Sequence, residues 1–282
     1  MAELVDIAPG ILVHTSRKDA LNSIVLASIS EAMLVDPGWE AAELDDLAVQ
    51  LAERGLAALS GFATHAHHDH VLWHPVFGNA PRLASAATVR LAGAEREDLL
   101  AHATADDPAL EARPELLALI GRLSPTPQAP ANSHHTWLPR GVAPCGFEPQ
   151  LLTHDAHVPG HTALWLPEQR ILIAGDMLSS TELPLPDLEH HESRARLLQK
   201  RSIDPFTAYL EALDLLEPYA RKARLVIPGH GPLGTDALER LERDRAYLTA
   251  ILNGDDPRDE RRATRGMEAW HARLVEAAVE RR

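Results

Sequence analysis

The chain opens with short apolar runs separated by turn residues. Ile11-Leu12-Val13-His14 follows a Pro9-Gly10 turn, and 22–28 and 31–36 read as a hairpin that stops at Pro37-Gly38. From Trp39 to about Arg54 the period changes. Leu44, Leu47, Ala48 and Leu51 fall at i, i+3, i+4 and i+7, with Glu43, Asp45 and Asp46 between them, which is one face of a helix. The stretch 55–63 is small and apolar with no helical repeat, so it reads as a buried strand. The alternation continues with a short strand at 81–85, a helix from Ser85 or Ala86 to about His102, and another from Pro108 to Leu123. Residues 124–150 are rich in proline, contain Asn132-Ser133-His134-His135, and form the least regular part, an excursion or flap. Strands are expected at 136–138, 150–154, 162–166 and, after a turn at 167–170, 171–174. The C-terminal third predicts a helix from Pro205 to about Tyr219 behind an Asp204 N-cap, a strand at 224–227, and helices at about 235–252 and 259–280. No repeat, low-complexity tract or linker interrupts this order. It predicts one α/β domain over 1–282, with a helical portion at about 190–282 and a two-layer sheet core covered by helices.

Composition narrows the classes. Of the 282 residues 45% are hydrophobic but only 4% aromatic, so the core is built from Leu, Val, Ile and Ala. Lys and Arg number 27 against 41 Asp and Glu, a formal net charge of −14, which argues against a broad nucleic-acid footprint. It leaves room for a small anionic substrate, because a metal site carries its own positive charge. A lone cysteine, Cys145, precludes an internal disulfide and fits a reducing compartment. The N-terminal residues lack a secretion signal, and no apolar run approaches the ~18 residues that span a bilayer. The expectation is a soluble cytoplasmic protein acting on a small molecule, with no nucleic-acid or membrane partner. The sequence is silent on oligomeric state.

The candidate chemistry centres on Thr64-His65-Ala66-His67-His68-Asp69-His70, four histidines and a carboxylate just after the strand at 55–63. Buried imidazoles and carboxylates need partners, and a metal is the simplest one. Three later points repeat a pattern of apolar stretch, glycine and potential ligand: Val158-Pro159-Gly160-His161-Thr162, Ile173-Ala174-Gly175-Asp176 and Ile227-Pro228-Gly229-His230-Gly231. Glycine lets the backbone turn sharply and approach closely there. Four such ends can converge on one site.

In order and along most of the chain, this set resembles the metallo-β-lactamase superfamily of hydrolases. The resemblance implies an αββα sandwich of two mixed β-sheets flanked by helices, with the site at one edge of the sheets. It implies His65, His67 and His161 on one metal, Asp69, His70 and His230 on a second, Asp176 bridging both, and His68 at a variable position. Nitrogen and carboxylate ligands without thiolate suit two zinc ions, with iron or manganese as alternatives. Two such metals, ~3.5–4 Å apart, can share a hydroxide that attacks an ester-type centre, oriented by Asp69 or Asp176. In the true β-lactamases of this superfamily the place of Asp176 is usually held by cysteine or serine. The implied substrates are therefore lactones, thioesters, carboxylic esters or phosphoesters rather than antibiotics. The glycine-rich continuation of glyoxalase II-like enzymes is replaced by Val71-Leu72-Trp73-His74-Pro75, and the acidic balance speaks against a ribonuclease Z-like role. The alternative is an iron-dependent oxidoreductase of the persulfide dioxygenase type. Trp73, His74 and Phe77 are candidates for substrate contact, with Trp73 and Phe77 equally readable as core. Arg194, Arg196, Lys200 and Arg201 either attract an anionic group or form a solvated helix face. His134, His135, His154, His157, His190 and His191 are further histidines, of which one or two at most need a function.

Overall fold

The computed structural model describes residues 3–127 and 135–281; His134 and most of the Asn132–His135 run lie outside the described residues. Among them, seven strands lie side by side in chain order. These are β1 (Leu4–Ala8), β2 (Ile11–Thr15), β3 (Asn22–Ser28), β4 (Glu31–Val35), β5 (Ala57–Phe62), β6 (Arg82–Ala84) and β7 (Ser124–Pro125). Neighbours pair antiparallel from β1 to β4 and parallel from β4 to β7. Parallel pairing needs crossovers. Helix α1 (Ala41–Glu53) supplies one, and α2 (Ala86–Ala94), α3 (Arg96–Asp106) and α4 (Pro114–Leu117) lie along another. The second sheet holds β8 (His135–Trp137), β9 (Gln150–His154), β10 (His161–Leu166), β11 (Ile171–Gly175) and β12 (Leu225–Pro228). Its spatial order runs from β12 back to β8, with only the β11–β12 pair parallel. Helices α5 (His191–Leu197), α6 (Pro205–Ala220), α7 (Ala237–Asn253) and α8 (Met267–Glu280) complete the described chain.

Strand alternation assigns each side chain to a layer. Ile11, Val13, Ile24 and Leu26 meet Leu164, Leu166, Ile171 and Ile173 in one apolar cluster between the sheets. The intervening residues Leu12 and Val25 face outward, where Leu44, Leu47 and Leu51 of α1 cover them. On the other side Ala163, Trp165 and Leu172 pack with Phe206 and Leu213 of α6 and Leu241 and Leu248 of α7. Strands buried on both faces read as continuous apolar runs, as the sequence did. The result is helices, sheet, sheet, helices.

Three expected helices are broken. The helix expected to begin at 85 or 86 leaves helical geometry at Glu95, whose carboxylate is drawn to Arg194. The one expected over 108–123 is a 3-10 turn, Pro108–Ala112, followed by α4. Pro114 forces this, since it has no N–H and pushes Arg113 out of the helical region, to φ −123°. The last one divides at Gly266, whose φ is +83°. Among the described residues no helix is long and apolar enough to cross a membrane.

β5 carries the histidine loop, and its Gly61 lies flat against the Trp73 ring. An added Cβ would stand 2.3 Å from Trp73 Cζ3. Gly61→Ala is therefore expected to destabilise the fold by about 1–3 kcal/mol through overpacking. Urea unfolding should show a lower midpoint at unchanged m-value; an unchanged midpoint would mean that Trp73 is free to move aside.

Candidate metal centre

Strand ends on one edge of the two sheets deliver the site. β5 ends at Phe62 and releases the loop holding His65, His67, Asp69 and His70. The turn between β9 and β10 carries His157, β11 ends at Gly175 just before Asp176, and β12 ends at Pro228 just before Gly229-His230. Two glycines are required by contact. A Cβ on Gly229 would stand 2.0 Å from Asp176 Oδ1, and one on Gly175 would stand 2.5 Å from His161 Nε2. Asn22 of β3 laces the two sheets here, donating through its side chain to the carbonyls of Pro228 (2.9 Å) and Gly231 (2.8 Å).

Hydrogen bonds around the rim fix how each imidazole points. Thr64 Oγ1 donates to Asp36 Oδ2 at 2.7 Å, so at 3.0 Å it can only accept from His65 Nδ1. His157 Nδ1 donates to the Leu185 carbonyl at 2.7 Å. Both rings therefore turn a bare Nε2 inward. His67 Nδ1 lies 3.0 Å from the first and 3.1 Å from the second. It has one proton at most to offer, so one of these contacts sets lone pair against lone pair. Asp176 Oδ2 adds negative charge, 3.4 Å from His65 Nε2 and 3.5 Å from His157 Nε2. Such an arrangement calls for a cation in its middle.

A second group adjoins it. His70 Nδ1 donates to Asp36 at 2.9 Å and His230 Nδ1 to the Asp19 carbonyl at 2.9 Å. Their Nε2 atoms meet Asp69 Oδ2 at 3.4 Å and 3.2 Å. His70 Nε2 also faces Asp176 Oδ1 at 3.3 Å, and both atoms are buried without a hydrogen-bond partner. His65, His67, His157 and Asp176 thus form one group with metal-binding spacing, and Asp69, His70 and His230 another.

The electrostatics divide the same way. Burial, then the charge of His70, holds His65 down at about 4, and burial lowers His67 and His157 as well, so all three are neutral. Burial alone would raise Asp69 and Asp176, but His70 and His230 beside them hold both well below the carboxylate range. Burial also opposes charge on His70 and His230. Asp176 and Asp69 overcome it, lifting His70 well above its ordinary value and His230 to about 10. Without a metal, protons on these two rings balance the carboxylates; bound cations would displace them. The donor set fits metal on every count.

The sequence profile described as the metallo-beta-lactamase superfamily matches residues 17–230. The chain belongs to that superfamily. Its fold is similar to a metallo-beta-lactamase family protein from Thermus thermophilus, at 21% identity over 98% of this chain and 94% of that one, with a TM-score of 0.65. A beta-lactamase domain protein from Burkholderia ambifaria is similar at 21% identity over 89% and 76%, with a TM-score of 0.61. A metallo-beta-lactamase from Pontibacter korlensis is similar at 19% identity over 86% and 99%, with a TM-score of 0.54. At these identities the likeness speaks for the fold alone. No curated protein matches the chain.

Within this superfamily member, several positions differ from the expectation. His161 is not in either group. Its Nε2 accepts the Asp176 N–H at 3.1 Å, and its Nδ1 meets His154 Nε2 at 3.2 Å, so the ring braces the Asp176 backbone from behind. His157 stands at the site instead. The signal was in the register: His161 begins β10 and pairs with His154, whereas His157 sits in the free turn before it. Asp36, which orients Thr64 and His70, also went unread, although it closes β4 as Asp176 closes β11. Trp73 and Phe77 are buried in the core beneath α1 and α2, and His74 is held by Asp45 at 2.9 Å, so none of the three lines the cavity beside the site. The basic cluster dissolves: Arg194 is buried between Glu95 and Asp187, Lys200 pairs with Asp155, and Arg196 lies exposed near Glu192. His68 stays outside both groups, 2.7 Å from Asp106.

Removing metal should cost stability. A metal ion at about 100-fold over its Kd would add ~2.7 kcal/mol per site, or roughly 5 °C in a chain of this size. Calorimetric melting with and without chelator is expected to show at least that drop, and His157→Ala to shrink it more than His161→Gln does. Identical melting curves would mean that the imidazoles bind nothing.

Proposed function

We propose that this chain is a metal-dependent hydrolase that uses two zinc ions to cleave a small ester-type substrate. His65, His67 and His157 hold one ion, Asp69, His70 and His230 the other, and Asp176 lies between. The observation that carries this reading is the shared carboxylate. Asp176 Oδ2 faces His65 and His157 while Oδ1 faces His70, so one side chain belongs to both groups. When bound, the two cations polarise the scissile carbonyl and lower the pKa of water to about 7.

The protein's own groups do the positioning. Thr64, Asp36, Leu185 and Asp19 fix the imidazole tautomers. His161 and Gly229 keep the Asp176 carboxylate from turning away. Asp69 lines the adjoining cavity and is placed to orient water. An iron dioxygenase would need only two imidazoles and a carboxylate. It would leave the buried group of Asp69, His70 and His230 without a purpose.

Elemental analysis of protein purified without added metal is expected to give about two zinc per chain; about one iron would favour oxygen chemistry instead. Against a panel of lactones, thioesters and esters, Asp176→Ala should abolish hydrolysis with the far-ultraviolet dichroism unchanged. His157→Ala should lose more than roughly 100-fold, and His161→Ala about 10- to 100-fold, as a residue acting through Asp176. Full activity in Asp176→Ala would sink the mechanism.

A further inference from the structure

A cavity of about 820 Å³ opens directly off the metal centre, with His67, Asp69 and His157 in its wall. Its apolar side is made by Leu99, Leu185, Pro186, Leu188 and Trp270. Its charged side holds four carboxylates, Glu95, Asp98, Asp187 and Glu189, against two guanidiniums, Arg194 and Arg273. Neither guanidinium is free. Arg194 donates through Nε and Nη2 to Glu95 at 3.0 and 2.9 Å, and its Nη1 lies 3.2 Å from Asp187. Arg273 pairs with Glu189 and lies 4.8 Å over the Trp270 ring. Asp187 is only 9% exposed, its Oδ1 is engaged by the His190 N–H and Arg194, and its Oδ2 is buried behind the wall, so it adds negative charge there without a free contact. Asp98 is exposed on α3 without an ion-pair partner among the described residues. Among the described residues no lysine lines the cavity.

We infer that this cavity accepts the part of the substrate remote from the scissile bond when that part is uncharged or cationic, and rejects an anionic one. The inference rests on the hydrolase reading above for which end of the substrate reacts. A carboxylate or phosphate tail would enter among an excess of carboxylates, where both guanidiniums are already paired and the donor left in the wall is the imidazole of His102. An ammonium tail would find the exposed Asp98 and the surplus negative charge of the wall, and a neutral acyl chain the leucines and Trp270. The carbonyl end belongs to the metal centre, where the positive charge is. Exchange of partners by the exposed Arg273 leaves this unchanged, since the wall keeps its surplus of acid.

Binding separates this from the question of catalysis. The probes are three short acyl amides alike in shape, ending in a trimethylammonium group, its uncharged tert-butyl isostere, or a carboxylate. Calorimetric titration into the zinc-loaded protein at pH 8, above the ordinary imidazole range, reads their affinities. The cationic and neutral probes are expected to bind at least about tenfold more tightly than the anionic one. Asp98→Lys, which touches no proposed ligand, should narrow the cation-to-anion ratio several-fold. A carboxylate probe that binds as tightly as the neutral one overturns the inference, and so does a ratio that Asp98→Lys leaves unmoved. The corresponding esters are then assayed. Binding in the expected order with no ester cleaved would refute the hydrolase and leave the charge selection standing.

Discussion

Between His65 Nε2, His67 Nδ1 and His157 Nε2 there are two short contacts and one proton at most to share. The protein has removed every other way out. Thr64 and the Leu185 carbonyl consume the outer nitrogens of two of the rings, and burial keeps all three rings from taking up a further proton. A cluster of this kind is unfavourable until a cation enters it. The fold has to hold the cluster together against its own repulsion, and the surrounding structure is arranged for that.

The two sheets supply the restraint. Each inner strand stops at the same edge, so the site residues hang from positions that the apolar layer between the sheets has already fixed. Asp36 and Asp176 close equivalent strands, one in each sheet, and take different parts. Asp36 turns its carboxylate to Thr64 and His70 from outside the site, whereas Asp176 turns inward between the two groups. What keeps Asp176 inward is a backbone contact to His161, itself stacked on His154. Asn22 then ties the His230 loop to the opposite sheet. Losing any one of these would let a like-charged neighbour relax outward, at the expense of the geometry that a metal needs.

Most of the fold was legible because its strands are apolar on both faces and its helices are amphipathic, patterns that local sequence states directly. The helix breaks at Glu95 and Gly266 were harder. At the first, the Glu95 carboxylate meets Arg194, a residue about a hundred positions away, a contact that no local pattern records. The first-loop histidines were legible from density alone. His157 and His161 were not separable by type or spacing, since both flank the same Pro159-Gly160 turn. What divides them is strand register, because His161 pairs in β10 and its ring is committed behind Asp176. Trp73 and Phe77 misled for a similar reason. They follow the motif in sequence, but the chain turns there into the apolar layer under α1 and α2.

Charge shows the same limit from another side. A net charge of −14 says little about any one place on the molecule. The four basic residues at 194–201 look like an anion-binding patch in one dimension, yet in space each of the three with a described partner faces a carboxylate. The local balance beside the metal centre is set by pairing: Arg194 is consumed by Glu95 and Asp187, and what is left over is acid. On the hydrolase reading proposed above, a substrate would meet two opposite fields a short distance apart, positive at the metal centre and negative in the cavity beside it. A neutral or cationic ester can satisfy both fields at once. One with an anionic tail can satisfy only the first, so in a fold that supports many chemistries the charge balance of the cavity, as well as the ligand set, bears on what this site accepts.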